Sequence, residues 1–287
     1  ATIISVSNMK GGVGKTTIAV SLAREFARRG NGAKVLIVDL DAQANASFWL
    51  CGDEALTSLI EHGKTIDAFL EDNIVFGKSV SLKDYVYALP ANGERGAISV
   101  IPSSPELRLV EREMIVFLSR RRRNLLEVER VVSDLLNEQL AELVTAYDYI
   151  VFDSAPGISA LTEAALRSSD VIVVPTVPDF ISNLGLEAFC KTVCWSLKKG
   201  EQDRKRPWVV ANMVKDSPHQ QMMLREMRAE AETPEGGFNM FKIEIPNELW
   251  IEEAAAAGPT LPARDNTLFA RLAEEVLQAV AVQAPAR

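Results

Sequence analysis

Residues 10–17 read KGGVGKTT, directly behind the branched apolar run TIISVSN at 2–8 and directly ahead of KTTIAVSLAREFARR at 15–29. The first segment has the composition of a buried strand. The last carries Ile18, Leu22 and Phe26 at helical spacing and stops at Gly30 and Gly32. A glycine-rich turn between a strand and a helix is the setting of a phosphate-binding loop, commonly G-x-x-x-x-G-K-[ST]. Gly14, Lys15 and Thr16 satisfy the second half of that pattern, while Met9 stands where the first glycine is expected. Gly11 and Gly12 lack the Cβ that would block a close backbone approach, and Val13 completes the turn. Its N–H groups and the helix N-terminus then present partial positive charge to an anion. Lys15 is expected at the β and γ phosphates and the Thr16 hydroxyl on Mg²⁺; Thr17 contacts the α phosphate or packs the helix start.

Further along, KVLIVDL (34–40), ISVIP (98–102), YDYIVFD (147–153), DVIVVP (170–175) and PWVVANM (207–213) read as central strands, with a weaker one at FKIEI (241–245). Helical patterns separate them, which predicts an α/β fold: a doubly wound, mostly parallel sheet with helices on both faces. Residues 47–96 look like a helical excursion, and 106–146 like a long helical stretch interrupted at Arg120, Arg121, Arg122 and Arg123. No linker divides the chain, so residues 1–287 are expected to form a single domain.

Composition narrows the function. Hydrophobic residues make up 47% and charged residues 24%, enough for an ordinary core without metals or disulfides. Apolar runs reach five or six residues, against about 20 for a membrane span. No signal-like segment precedes TIISVSN, and a cytoplasmic location is expected. With a net charge of −8, the average field does not attract DNA or anionic lipid, so such binding needs a local basic patch. Cys190 and Cys194 share a helix face; two small buried residues are the plainer reading than a metal pair.

Met9 in place of glycine, followed by the second lysine Lys10, resembles the deviant phosphate loop of the ParA/MinD family of partitioning and positioning ATPases. DLDAQANAS (39–47) is similar to the family's D-x-D-P-Q-G-N, and YIVFDSAPG (149–157) to its second acidic strand. VIPSSPEL (100–107), VIVVPTVPDFISNLGLEAF (171–189) and IPNELWIEEAAAAGPTL (245–261) follow in the family's order. The resemblance implies ATP and Mg²⁺ as cofactors and a homodimer that sandwiches the nucleotides. Lys10 is then expected to reach the partner's phosphates, Asp41 to position the attacking water and Asp153 to hold Mg²⁺ through a water. Asp39 helps the metal or the switch, or makes a strand-end hydrogen bond, and Asn212 falls where the family often reads adenine. Ala42 and Ala44 replace the usual proline and glycine, and Ser154 and Ala155 the usual Thr-Pro. Since the acidic and lysine groups are intact, slow, partner-stimulated hydrolysis is expected.

Three readings compete within this resemblance. In a ParA-like protein the ATP-bound dimer holds non-specific DNA at the nucleoid, and an adaptor protein triggers release; Lys and Arg contacts to phosphates supply the affinity. The candidates are Arg120, Arg121, Arg122 and Arg123, and a second cluster of Lys198, Lys199, Arg204, Lys205 and Arg206, with Lys215, Arg225 and Arg228 beyond. Each cluster reads equally as a solvated face. A MinD-like protein inserts a C-terminal amphipathic helix into a membrane, but TLFARLAEEVLQAVAVQ carries Glu274 and Glu275 and few basic residues, so membrane binding is not expected. A metabolic enzyme of the same fold would need a substrate motif or cluster cysteines that the sequence does not offer. The first reading is the expectation carried forward.

Overall fold

The structure is a computed structural model that describes residues 1–29, 32–90, 96–121, 125–196, 206–233, 236–248 and 267–283. Eight strands form one sheet in the order β3-β4-β2-β5-β1-β6-β7-β8. These are β1 (Thr2–Val6), β2 (Lys34–Leu40), β3 (Tyr87–Ala88), β4 (Ala97–Ile101), β5 (Tyr149–Ser154), β6 (Val171–Thr176), β7 (Trp208–Val214) and β8 (Asn239–Pro246). Every pairing is parallel except that of β3 with β4. The edge strand β3 lies inside the stretch 47–96 that the sequence suggests is a helical excursion. Two residues are too short a run to leave an apolar signature.

Strand side chains alternate between faces, and the two core layers divide accordingly. Ile4, Val35 and Ile37 pack with α1 (Lys15–Arg29) and α10 (Thr267–Gln283). Their neighbours Ile3, Leu36 and Val38 pack on the other side with α4 (Ile66–Leu70), α5 (Leu107–Arg121), α6 (Leu125–Ala146) and α7 (Ala160–Ser168). A third cluster joins β6 and β7 to α8 (Phe180–Ser196) and α9 (Pro218–Ala231), with Cys190 fully buried in it. Two further helices, α2 (Asn45–Cys51) and α3 (Asp53–Glu61), follow β2.

The apolar face of α10 belongs to this core: Phe269, Leu272 and Val276 are buried against α1 and the sheet. It is therefore unavailable to a bilayer surface. Among the described residues no helix is long and apolar enough to cross a membrane.

Strand order fixes where a ligand can sit. From β1 the chain moves to one side through β2, β4 and β5, and later to the other through β6, β7 and β8. The crevice at the carboxyl end of β1 is thus a topological switch point. The loop at residues 7–14 opens there.

Candidate phosphate and metal site

The turn after β1 is held open by specific contacts. Asn8 Nδ2 donates to the Pro175 carbonyl at 2.7 Å, and Asn8 Oδ1 accepts from the Lys10 N–H at 3.0 Å. Gly12 and Gly14 adopt φ of +72° and +87°, which glycine tolerates and other residues resist. At Gly14 a Cβ would lie 2.2 Å from Asn212 Nδ2, and that amide donates to the Val13 carbonyl at 2.8 Å. Asn212 thus clamps the loop from β7.

The first helical bond of α1 runs from the Ile18 N–H to the Gly14 carbonyl at 3.0 Å. The N–H groups of residues 11–17 have no acceptor among the described residues, which leaves a run of donors at the head of α1 available to an anion. Lys15 is buried there, with its ammonium donating to the Lys10 carbonyl at 3.0 Å. Burial lowers its pKa, against the pull of Asp153 and Asp41.

Parallel register sets Asp39 of β2 beside Asp153 of β5. The two carboxyls differ in their partners. Asp39 Oδ1 accepts from the Asp41 N–H at 3.0 Å; its Oδ2 accepts from the Ser47 N–H at 2.9 Å and the Ser47 hydroxyl at 2.6 Å. Both oxygens of Asp39 are thus engaged by the segment that follows β2, an arrangement that the strand-end hydrogen bond among its expected uses describes as well as a role in a switch. Burial raises its pKa to about 6, opposed by the Ser47 and Asp41 hydrogen bonds.

Both oxygens of Asp153, in contrast, are buried without a hydrogen-bond partner among the described residues. Burial first, then the neighbouring Asp39, pushes this carboxyl well above the usual range. The Thr16 hydroxyl and Lys15 ammonium draw it back without placing a donor in hydrogen-bonding position. A buried carboxylate with free oxygens beside a hydroxyl is a fitting donor set for a hard divalent cation. The residues therefore fit Mg²⁺.

Asp41 follows the strand end and is also buried, its Oδ1 accepting from the Gln43 N–H at 3.0 Å. Its carbonyl accepts from the Ala44 N–H at 2.8 Å, and Ala44 takes up φ 51°, ψ 31°. Alanine thus occupies the left-handed conformation for which the resembling motif has glycine.

The Lys10 side chain is held by α8 and the residue before it. Its ammonium donates to Ser182 Oγ at 2.6 Å and lies 3.5 Å from Asp179. Neither partner is singled out by the sequence reading; residues 172 positions apart in the chain leave no local signal of contact. The Asn8 amide and the Pro175 carbonyl, 167 positions apart, leave no local signal either, whereas Ser47 stands eight positions from Asp39 at the end of the 39–47 motif.

The basic clusters are only partly described. Arg120 is exposed at the end of α5; the Arg121 side chain and Arg122, Arg123, Lys198, Lys199, Arg204 and Lys205 lie outside the described residues. Arg206 has another occupation from the one expected: its guanidinium donates to the carbonyls of Ala231, Thr233 and Phe238 at 3.3, 3.0 and 2.7 Å. Arg228 is paired with Glu244 at 2.8 Å, while Lys215 and Arg225 are exposed.

Comparison with known proteins places the chain in a family. A family profile described as an AAA domain matches residues 1–203. The sporulation initiation inhibitor protein Soj of Bacillus subtilis is 30% identical over 191 residues, covering 67% of this chain and 64% of that protein. The chain thus matches less than two thirds of that relative's length. The chromosome-partitioning ATPase Soj of Thermus thermophilus is 25% identical over 96% of both chains. In fold, the chain is similar to a putative plasmid partition protein from Borrelia burgdorferi bound to AMPPNP, with a TM-score of 0.69, 18% identity and 99% of each chain covered. It is likewise similar to an ATP complex of Cyanothece McdA, with a TM-score of 0.73 and 19% identity over 100% of this chain and 98% of that one. On the strength of the profile, these relatives and the loop geometry, the chain belongs to the ParA/MinD family of P-loop ATPases.

Proposed function

We propose that the protein is an ATP-dependent positioning ATPase whose ATP-bound homodimer holds DNA without sequence preference and releases it when an adaptor protein stimulates hydrolysis. The observation that carries this reading is the surroundings of Lys10. Its head group sits beside an exposed apolar patch of Met9, Phe180, Ile181 and Leu184, with Ile181 74% exposed. Such a patch next to a phosphate site suits a surface that a second copy covers.

In this reading the N–H groups of residues 11–17 and Lys15 hold the triphosphate, while Asn212 fixes the loop and borders the base. Thr16 and Asp153 would hold Mg²⁺, which would supply concentrated positive charge to offset that of the triphosphate. Asp41 orients the attacking water, and Asp39 sets the position of Asp41 through its N–H. Lys10 reaches the partner's phosphates and stabilises charge that develops as the bond breaks. Slow turnover makes the bound state a timer.

For DNA, the exposed candidates among the described residues are Arg120, Lys215 and Arg225. The net charge of −8 requires such contacts to be local, and binding should therefore fall steeply with salt. The test is a gel shift or pelleting assay with random-sequence duplex, comparing Mg·ATP with Mg·ADP at low and raised salt. Binding only with ATP, lost as salt rises, is the expected result. Absence of binding in every nucleotide state contradicts the proposal.

A further inference from the structure

On the face of the sheet opposite α1, a cavity of about 460 Å³ opens between α5, α6 and the start of α7. Protein interiors ordinarily close voids larger than a water molecule, and this volume falls in the range of about 300–1,000 Å³ typical of small-molecule sites. Its floor is apolar, built from Leu40, Met114, Val128 and Val132, each almost fully buried. None of residues 10–17 lines it, though it abuts the phosphate loop at Pro156, whose Cγ lies 3.8 Å from the place a Cβ would take on Gly11.

Two features of the wall bear on function. Leu40 and Ala42, which flank Asp41, form one side; Ala155 and Pro156, which follow Asp153 by two and three residues, form another. A body lodged here touches both segments that carry the acidic residues of the nucleotide site.

The rim states the chemistry of the occupant. Arg108 and Arg112 stand four apart on α5 and share a side of it. Neither makes an ion pair or hydrogen bond among the described residues. The opposing carboxyls are Glu111 and Glu129. Burial raises the pKa of Glu111, which Ser159 and Arg108 oppose and Asp41 reinforces; burial and Glu163 raise that of Glu129. Glu111 already has the Ser159 hydroxyl as a hydrogen-bond partner and Glu129 lies near the Arg167 guanidinium, which leaves the exposed Arg108 and Arg112 heads as the rim groups open to an anion.

We propose that this cavity is a regulatory site for a small amphipathic carboxylate, its apolar body on the Leu40–Val132 floor and its head on Arg108 and Arg112, coupled to nucleotide binding through residues 40–42 and 155–156. The binding half stands on the cavity alone; the coupling half rests on the phosphate-loop reading. Linkage requires that each ligand alter the other's affinity by the same factor.

The test is calorimetric titration of the full chain with sodium decanoate below its micellar concentration. Saturable one-to-one binding is expected, weakened at least tenfold by Arg112→Gln and abolished by Val132→Trp, with decyltrimethylammonium failing to saturate. Arg112→Gln changes an exposed side chain and keeps the test valid if the tryptophan variant does not fold. Equal binding of the carboxylate and the cation, or decanoate affinity unchanged in Arg112→Gln, overturns the site. Saturating Mg·ADP should shift decanoate affinity by at least about fivefold. An unchanged affinity with ADP demonstrably bound overturns the coupling. Normal decanoate binding by a protein that binds no nucleotide sinks the phosphate-loop reading and leaves the cavity standing.

Discussion

Lys10 and Asp179 are joined through a shared hydroxyl: the lysine donates to Ser182 Oγ at 2.6 Å, and that hydroxyl donates to Asp179 Oδ2 at 2.9 Å. Asp179 Oδ1 also accepts from the Ser182 N–H at 2.7 Å and so caps the start of α8. Burial alone would raise the Asp179 carboxyl, but the Ser182 donors and Lys10 hold it below its ordinary value. The residue proposed to act on a second copy is therefore tethered to its own chain. Because the ion pair is 43% and 35% exposed, its contribution to stability is small, at most about 1 kcal/mol. Lys10→Ala should leave the melting temperature nearly unchanged and ATP affinity within about threefold, while lowering turnover at least tenfold, about 1.4 kcal/mol of barrier. Calorimetry and steady-state phosphate release measure the two halves separately.

Asp153 should show a trade between stability and function. Its buried oxygens lack partners and its ionised form is disfavoured, so at neutral pH without a cation the side chain destabilises the fold. Asp153→Asn removes that charge at nearly constant shape. In EDTA at pH 7.5 the variant should be more stable than the parent by about 1–2 kcal/mol in urea unfolding. Adding Mg²⁺ with ATP should stabilise the parent and not the variant. A less stable variant in EDTA would show that the carboxylate is satisfied after all.

Gly14 and Asn212 make a pairwise prediction. Gly14→Ala sets a Cβ 2.2 Å from Asn212 Nδ2 and forces alanine to φ +87°. Asn212→Ala removes the clash but leaves the backbone strain, about 1–2 kcal/mol. The double variant should therefore be less destabilised than the sum of the singles, by at least about 1 kcal/mol in a double-mutant cycle. Additive effects would mean that the amide does not press on the loop.

Ala44 holds φ 51° at the head of α2, where glycine has no steric penalty. Ala44→Gly should stabilise the protein by up to about 1 kcal/mol, because relief of the left-handed strain outweighs the extra freedom of the unfolded chain. Thermal unfolding without nucleotide reads this directly; a lower melting temperature would place the strain elsewhere.

Much of the fold is legible because parallel strands buried on both faces leave continuous apolar runs. KVLIVDL and YDYIVFD mark β2 and β5, and α1 spans the same residues that its periodicity predicts. The phosphate loop is legible because its glycines and Lys15 are contiguous. What is missed depends on contacts distant in sequence. Nothing near Asn8 announces that its amide reaches the Pro175 carbonyl, and nothing near Lys10 points to Ser182. Arg206 shows the converse limit: a basic stretch resembles a binding patch until three carbonyls are found on one guanidinium. Charge is read from sequence, but its partner is not.

ATP is expected to bring two copies together through the Lys10 face. Sedimentation velocity of Asp41→Ala, in which hydrolysis is expected to be blocked, measures this most directly. With Mg·ATP the species should change from the 31.5 kDa chain to twice that mass, while Mg·ADP, or Lys10→Ala added to the same chain, should leave it a monomer. A monomer under saturating Mg·ATP, or a dimer indifferent to Lys10, would contradict it.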